Sequence, residues 1–169
     1  MNTVDLYLSL GSNLGDRESN IAQATMALSI NFEISDIQSS SYYDSEPLYN
    51  IDQPHFLNSV VKCKTSLKPF EVLDVIKKVE RMLGRKDRRE KNSPRIIDID
   101  ILFHGDAVIE TEELSIPHPM LTMRKFVLVP FDELAPNFEI PHSKIKIKDL
   151  INHCPDKTKV FLHHMDTQA

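Results

Sequence analysis

Apolar residues recur along this chain with two spacings, two and about 3.6, and the change from one to the other marks out the elements. From Asp5 to Leu10 leucines alternate with other residues, which predicts a strand ending at Gly11. Asp16 then suits a helix N-cap, and Ile21, Ala24 and Leu28 fall on one side of the helix it would open. Ile34 to Asp44 reads as extended, and the polar, proline-bounded stretch from Ser45 to Pro54 as a loop. His55 to Thr65 is strand-like, with Phe56, Asn58 and Val60 on one face and Leu57, Val61 and Cys63 on the other. Pro69 can begin a helix, where its missing N–H costs little. Val72, Ile76, Val79 and Leu83 form that helix's stripe, and Gly84 stops it. Ile96 to Phe103 is a further strand, and His104-Gly105-Asp106 predicts a turn into a short partner strand around Val108 and Ile109. The remaining chain holds six of the ten prolines and reads as loops, a short element at Phe126 to Phe131, and a closing helix near Lys148 to His153.

The order β-α-β-β-α-β predicts an α+β, ferredoxin-like split βαβ sandwich. Helices would pack on one face of an antiparallel sheet, the other face would stay open, and extra C-terminal elements would follow. No internal repeat or Gly/Ser-rich linker divides residues 1–169, so a single domain is expected.

Composition narrows the chemistry. Only four glycines occur, and none falls in a G-x-G-x-x-G or G-x-x-x-x-G-K-[ST] string. Phosphate, if handled, must be met by metal ions and basic side chains. A net charge of −5 argues against a general nucleic-acid or membrane-surface binder. No apolar run reaches membrane-spanning length, and the N-terminus lacks the basic region of a signal peptide. Two cysteines are too few for a disulfide scaffold or zinc site, which fits a reduced, cytoplasmic setting.

One strand stands out. Asp98 and Asp100 lie two residues apart, about 6.6 Å along a strand and on one face. Such a pair can converge on Mg²⁺, which takes one or two carboxylates and fills its other positions with water and phosphate. Alone, the D-x-D string reads more readily as a wet strand face. The segment before it changes the balance. Arg81 to Arg95 holds seven basic and two acidic residues, a net +5 on a chain of net −5. Guanidiniums beside metal-binding carboxylates are the parts needed for phosphoryl transfer. His118, between two prolines, and Arg124 are weaker candidates to meet phosphate oxygens. Leu10 to Asp16 could be an anion-binding turn, though a strand-to-helix turn explains its glycines better. Phe56 and Asn58 share a face and could stack against and hydrogen-bond a flat heterocycle.

Taken together, "LSLGSNLGDR", "YYDSEPL", "DQPHFLNSVV", "PRIIDIDILF" and "IPHP…RKFVLVPFDELAP" resemble the 6-hydroxymethyl-7,8-dihydropterin pyrophosphokinase family of folate biosynthesis. The resemblance covers nearly the whole chain. It implies a monomeric, ferredoxin-like enzyme that moves the β,γ-pyrophosphoryl group of ATP onto the pterin's hydroxymethyl oxygen and releases AMP. Two Mg²⁺ ions would be held by Asp98 and Asp100. Arg85 and Arg95 would be catalytic. Both would also bind ATP, together with Arg88, Ile101, Ser115, His118 and Arg124. Ser45, Pro47, Leu48, Phe56, Asn58 and Phe126 would form the pterin pocket, with the two phenylalanines sandwiching the ring. The family's tryptophan in the basic loop is replaced by Asn92, Asp87 stands where arginine is frequent, and Met120 where many relatives are basic. Two other readings remain at this point: a different D-x-D metal enzyme such as a nucleotidyltransferase, and a ferredoxin-like nucleic-acid-binding module.

Overall fold

The computed structural model describes residues 2–85 and 93–165. Its elements in chain order are β1 (Val4–Ser12), α1 (Arg17–Ser29), β2 (Ile34–Ser39), β3 (Tyr43–Ser45), β4 (Phe56–Thr65), α2 (Pro69–Met82) and β5 (Asp98–His104). After these come β6 (Ile109–Glu110), β7 (Ser115–Ile116), a 3₁₀ turn (Leu121–Met123), α3 (Lys125–Leu134), α4 (Ile147–His153) and β8 (Val160–Leu162). The main sheet runs β5-β1-β4-β3-β8, and β2 also pairs with β4. Every pairing in it is antiparallel. Because β2 and β3 both lie along β4, they are two halves of one extended run, interrupted at Ser40, whose hydroxyl accepts from the Val60 N–H. The split βαβ order is as the sequence predicts.

The first face of the sheet is dry. Leu6, Leu8 and Leu10 of β1 meet Ile21, Ala24 and Leu28 of α1 and Val72, Ile76 and Val79 of α2, with Leu57, Val61 and Cys63 of β4 in the same cluster. Asp16 caps α1, accepting from the Ser19 N–H, and Gly84 ends α2 with φ at +95°. Burial of this many aliphatic side chains, each contributing about 1.5–3 kcal/mol, is what holds the two helices on the sheet.

The second face is not open, contrary to expectation. Half of it is covered by α3 and α4. Tyr7, Phe103 and Phe131 pack there with Phe138, and Val60, Leu128 and Ile147 fill the rest. A bulge on β5 helps: Leu8 opposes Ile101 while Tyr7 opposes Phe103, so Leu102 is an extra residue. Leu102 and Phe103 both turn into this second cluster.

Three further differences concern edges. The segment after Gly105 does not fold back on β5. Instead β6 pairs with β7, across a turn in which Thr111 and Leu114 exchange hydrogen bonds. Gly105, with φ at +53°, donates its N–H to the Asp5 carbonyl and directs the chain away. The short element near Phe126 is a ten-residue helix that contains Pro130. The closing helix is not the last element: β8 follows it and adds to the edge of the sheet beside β3.

Candidate active site

On the uncovered half of the second face lies a cleft of about 320 Å³. Its floor is set by register. Gly11 of β1 sits between Asn58 of β4 and Asp98 of β5, and Ser9 sits between Val60 and Asp100. Along β1 the residues facing this side run Tyr7, Ser9, Gly11, from large to small. The cleft begins where Tyr7 gives way to a hydroxymethyl and then to no side chain. Gly11 is thus not a turn residue; it is within the strand, and the positive-φ turn glycine is Gly15.

One end of the cleft is basic and acidic. Asp98 accepts from Arg85 Nη1 at 2.7 Å on one oxygen and from Arg95 Nη1 at 2.8 Å on the other. Arg85 also makes a short hydrogen bond to Glu80, and Glu80 accepts from the Ile99 N–H at 3.1 Å. Glu80 is buried at the end of α2, and burial pushes its pKa up despite the Arg85 charge. Asp100 is pushed up to about 7, first by burial and then by Asp98, with Arg124 and Arg85 pulling the other way. A third of its side chain remains open to the cleft.

His118 is pinned by its own N–H to the Leu102 carbonyl and accepts from the Met120 N–H at Nδ1, 3.1 Å away. Its one proton must therefore sit on Nε2, which faces Asp100 Oδ2 at 4.0 Å. Burial, then the Arg124 charge, lower its pKa to about 4. At neutral pH it is an uncharged donor pointed into the cleft.

Arg124 lies 5.8 Å from the Phe126 ring and 5.9 Å from the Tyr49 ring, and Nη2 reaches the Tyr49 hydroxyl at 3.5 Å. Among the described residues its Nε is buried without a hydrogen-bond partner. A buried guanidinium N–H with nothing to donate to suits an anionic oxygen.

The rest of the lining is partly apolar. Phe56, Phe126 and Leu48 contribute to it together with Ser45 and Asn58. Asn58 donates to the Ser45 hydroxyl at 2.8 Å and to the Tyr43 carbonyl at 3.2 Å. Both N–H bonds are spent, so its carbonyl is left to accept from a ligand beside Gly11.

The structure therefore brings Arg85, Arg95, Asp98, Asp100, His118 and Arg124 together with Ser45, Leu48, Phe56, Asn58 and Phe126 around one cavity. Pro47 is buried next to them without lining it. The Ile101 side chain belongs to the dry core on the opposite face, and Ser115 sits on β7; neither lines the cleft. Arg88, Asp87 and Asn92 lie outside the described residues.

Sequence reasoning passed over Ser9 and Gly11, whose smallness is the point, and over Glu46, Tyr49, Gln53 and Glu80. Ser9, Gly11, Glu46 and Gln53 lie within the quoted strings, and Glu80 stands next to Val79 of the α2 stripe, but spacing alone gave none of them a role. Asn13 is spent on structure: Nδ2 donates to Gln53 and to the Pro54 carbonyl, Oδ1 accepts from the Arg95 N–H, and its N–H donates to the Arg95 carbonyl.

The donor set bears on a metal. Among the described residues, no group of three or more His, Cys, Asp or Glu side chains could hold an ion. Two carboxylates on one strand, in a cleft with room for phosphate oxygens and water, fit Mg²⁺ and do not fit a zinc-type cage. No helix among the described residues is long and apolar enough to cross a membrane.

Known proteins resemble this chain. An Aquifex aeolicus 2-amino-4-hydroxy-6-hydroxymethyldihydropteridine pyrophosphokinase is 46% identical over 144 residues, covering 85% of this chain and 88% of that protein. The Haemophilus influenzae protein of the same name is 35% identical over 160 residues, covering 95% and 99%. Longer relatives match as well: the Dictyostelium discoideum folic acid synthesis protein FOL1 is 42% identical over 137 residues, but the chain spans only 20% of it. Among solved structures, wild-type Plasmodium falciparum HPPK-DHPS with pteroate superposes with a TM-score of 0.70 at 20% identity, covering 90% of this chain and 42% of that one, which speaks for the fold. A family model described as 7,8-dihydro-6-hydroxymethylpterin-pyrophosphokinase matches residues 7–136, the span that builds β1 through α3 and nearly the whole cleft, and the chain belongs to that family.

Proposed function

We propose that this chain transfers the β,γ-pyrophosphoryl group of ATP to the hydroxymethyl oxygen of 6-hydroxymethyl-7,8-dihydropterin, giving the pterin diphosphate and AMP in folate biosynthesis. The observation that carries this reading is the joining, in one cleft, of an amide and two phenylalanines with guanidiniums and carboxylates.

At the phenylalanine end, Phe56 and Phe126 would hold a planar ring between them, the Asn58 carbonyl would accept from a ring N–H, and Ser45 would keep Asn58 in that orientation. At the other end, Asp98 and Asp100 would hold two Mg²⁺ ions, which would supply charge neutralisation and alignment of the phosphate oxygens. Arg85 and Arg95 would turn from Asp98 towards the triphosphate and offset charge as it develops. Neutral His118 would donate from Nε2, and the unpartnered Arg124 Nε would find a phosphate oxygen. The hydroxymethyl oxygen attacks the β-phosphorus, the bond from that phosphorus to the oxygen bridging to the α-phosphorus breaks, and AMP leaves while the hydroxyl proton is lost. No covalent protein nucleophile is needed; positioning and charge suffice.

Arg88, Ile101 and Ser115 would add ATP contacts, Ile101 through its backbone, and Pro47 would back the pterin pocket. The same reading takes residues 1–169 as one catalytic domain that acts as a monomer in the cytoplasm, without nucleic-acid partners. Incubation with ATP, Mg²⁺ and the hydroxymethyl pterin tests it. AMP should form only when all three are present, whereas pyrophosphate release would indicate nucleotidyl transfer and overturn the reading.

A further inference from the structure

A second charged cluster lies behind the substrate-facing strand β3, on the side away from the cleft. His163, just beyond β8, makes a short hydrogen bond through Nδ1 to Asp44 Oδ2, and its Nε2 is 2.6 Å from Glu18 Oε1. Carboxylates only accept hydrogen bonds, and a neutral imidazole has one N–H to give. Two carboxylates on two ring nitrogens therefore require the imidazolium. The other Asp44 oxygen accepts from Arg17 Nη1 at 2.8 Å, and the same nitrogen donates to the His55 carbonyl at 3.1 Å. Arg17, His163, Asp44 and Glu18 are electrically balanced when the imidazole is protonated and carry one excess negative charge when it is not. The centre of the cluster is shielded, the His163 and Asp44 side chains being 14% and 13% exposed, while Arg17 and Glu18, at 27% and 36%, meet solvent on their outer sides.

Its location gives it leverage. Asp44 is the middle residue of β3, a three-residue strand held between β4 and β8. The next residue, Ser45, lines the cleft and holds Asn58. Glu46 also lines the cleft, and its N–H donates to the Lys159 carbonyl at the start of β8. The His163 N–H in turn donates to the Tyr42 carbonyl at 2.9 Å. The cluster thus joins the start of α1, the entry to β4 and the C-terminal strand to the one residue of β3 that faces away from the pocket.

We propose that His163, as an imidazolium, is a positioning residue for the pterin end of the site: it ties α1 and β8 to Asp44 and so fixes the strand that presents Ser45 and Glu46 to the cleft. This rests on the reading of that end as the pterin pocket. Burial opposes charge on the ring, but the hydrogen bonds and charges of Glu18 and Asp44 outweigh it and raise its pKa above the ordinary 6.5. The groups facing it are Asp44 from β3, Glu18 from α1, and Arg17 across Asp44. Tyr42, close to Glu18, has its pKa raised by burial and then by that carboxylate, and stays neutral through the relevant range. A histidine whose folded pKa is raised gives its full stabilisation below about pH 6.5 and loses it as pH climbs through the folded value.

The test compares wild type with His163→Ala between pH 6 and 9 by steady-state kinetics, while NMR follows the His163 ring protons and amide exchange across residues 43–45 and 160–162. At pH 6.5 the KM for the pterin should rise about 3–10-fold in the variant, with kcat and the KM for ATP within about twofold. The wild-type KM should climb towards the variant's as pH passes the His163 titration, and exchange at β3 and β8 should quicken over the same interval. The variant should lack that step. Glu18→Gln keeps an acceptor but removes a charge, so it should move the step to lower pH. Equal KM values at pH 6.5, identical pH curves for wild type and variant, or a His163 titration at or below 6.5 would each overturn the proposal. Should the pterin not be turned over at any pH, the catalytic reading fails instead, and the titration and exchange data still decide whether the clasp exists.

Discussion

The two halves of the sheet's second face are built from the same three strands and do opposite things. At one end Tyr7 stacks on Phe131 with ring centroids 4.7 Å apart, Phe103 lies 4.7 Å from Phe138, and α3 seals the surface. At the other end Ser9, Gly11, Asp98 and Asp100 leave a cavity. Two or four residues along β1 separate a packed core from a reaction site. The lesson is that volume draws the boundary before charge does: aromatic rings at one end attract a covering helix, while small residues at the other give a helix nothing to bury. Charge then keeps that end wet, since Asp98 and Asp100 could be covered only at a large desolvation cost.

The largest effect should come from the polar end. Asp98→Ala or Asp100→Ala should lower kcat for AMP formation by about 10³-fold or more, because metal alignment and charge neutralisation are lost together, while circular dichroism shows the fold intact. Wild-type-like turnover in either variant would dissolve the distinction between the two ends.

The converse change is Phe131→Ala at the packed end. It should cost about 3–5 kcal/mol in denaturant unfolding through cavity formation, with kcat per folded molecule little altered. A large kcat loss at full folding would mean that the two halves are not independent.

Arg95→Ala comes next. It should reduce kcat about 10–100-fold with little change in KM, since its charge is needed most as the phosphate bond breaks. A raised KM at constant kcat would assign Arg95 to ground-state binding.

Gly11→Val moves the boundary itself. A β-carbon at Gly11 has ordinary contact distances, 3.5 Å to Asn58 Oδ1 and 3.8 Å to Phe56. The strand should tolerate it, and the added methyls should raise the pterin KM about 10-fold at nearly constant Tm. A collapse of Tm would show that the floor is packing and not space.

The smallest effect is on stability. Asp100, with its pKa raised to about 7, resists ionisation in the folded chain, so its contribution to stability should fall as pH rises from about 4 to 7 and then level off. Asp100→Asn removes that titration. Without divalent cations it should be more stable than wild type by about 1–2 kcal/mol at pH 8, discounted for its solvent contact, and indistinguishable near pH 4. Thermal melts at the two pH values check this.

Much of this was legible in the chain. Alternation located β1, β4 and β5, the stripe through Val72, Ile76 and Val79 located α2, and the D-x-D string with its basic approach marked the phosphate end. Pro130 made a ten-residue helix look like a brief element, because an interior proline usually breaks a helix and only burial beneath the aromatic cluster outweighs that here. β8 was missed because three residues give no periodicity; it is a strand only because β3 offers it an edge. The open second face was misjudged for a related reason: period-2 patterning says which residues point to a face, not what comes back to cover it.

The amino-acid order by itself determined which side chains share a face of each strand and helix, since those periods are fixed by backbone geometry within a few residues. Which faces meet was decided only by the tertiary structure. Asp98 beside Gly11 beside Asn58, or His163 against Asp44 and Glu18, are juxtapositions of residues tens to more than a hundred positions apart. They exist because burying the dry face and the aromatic cluster holds the strands in one register, and no local pattern records that register.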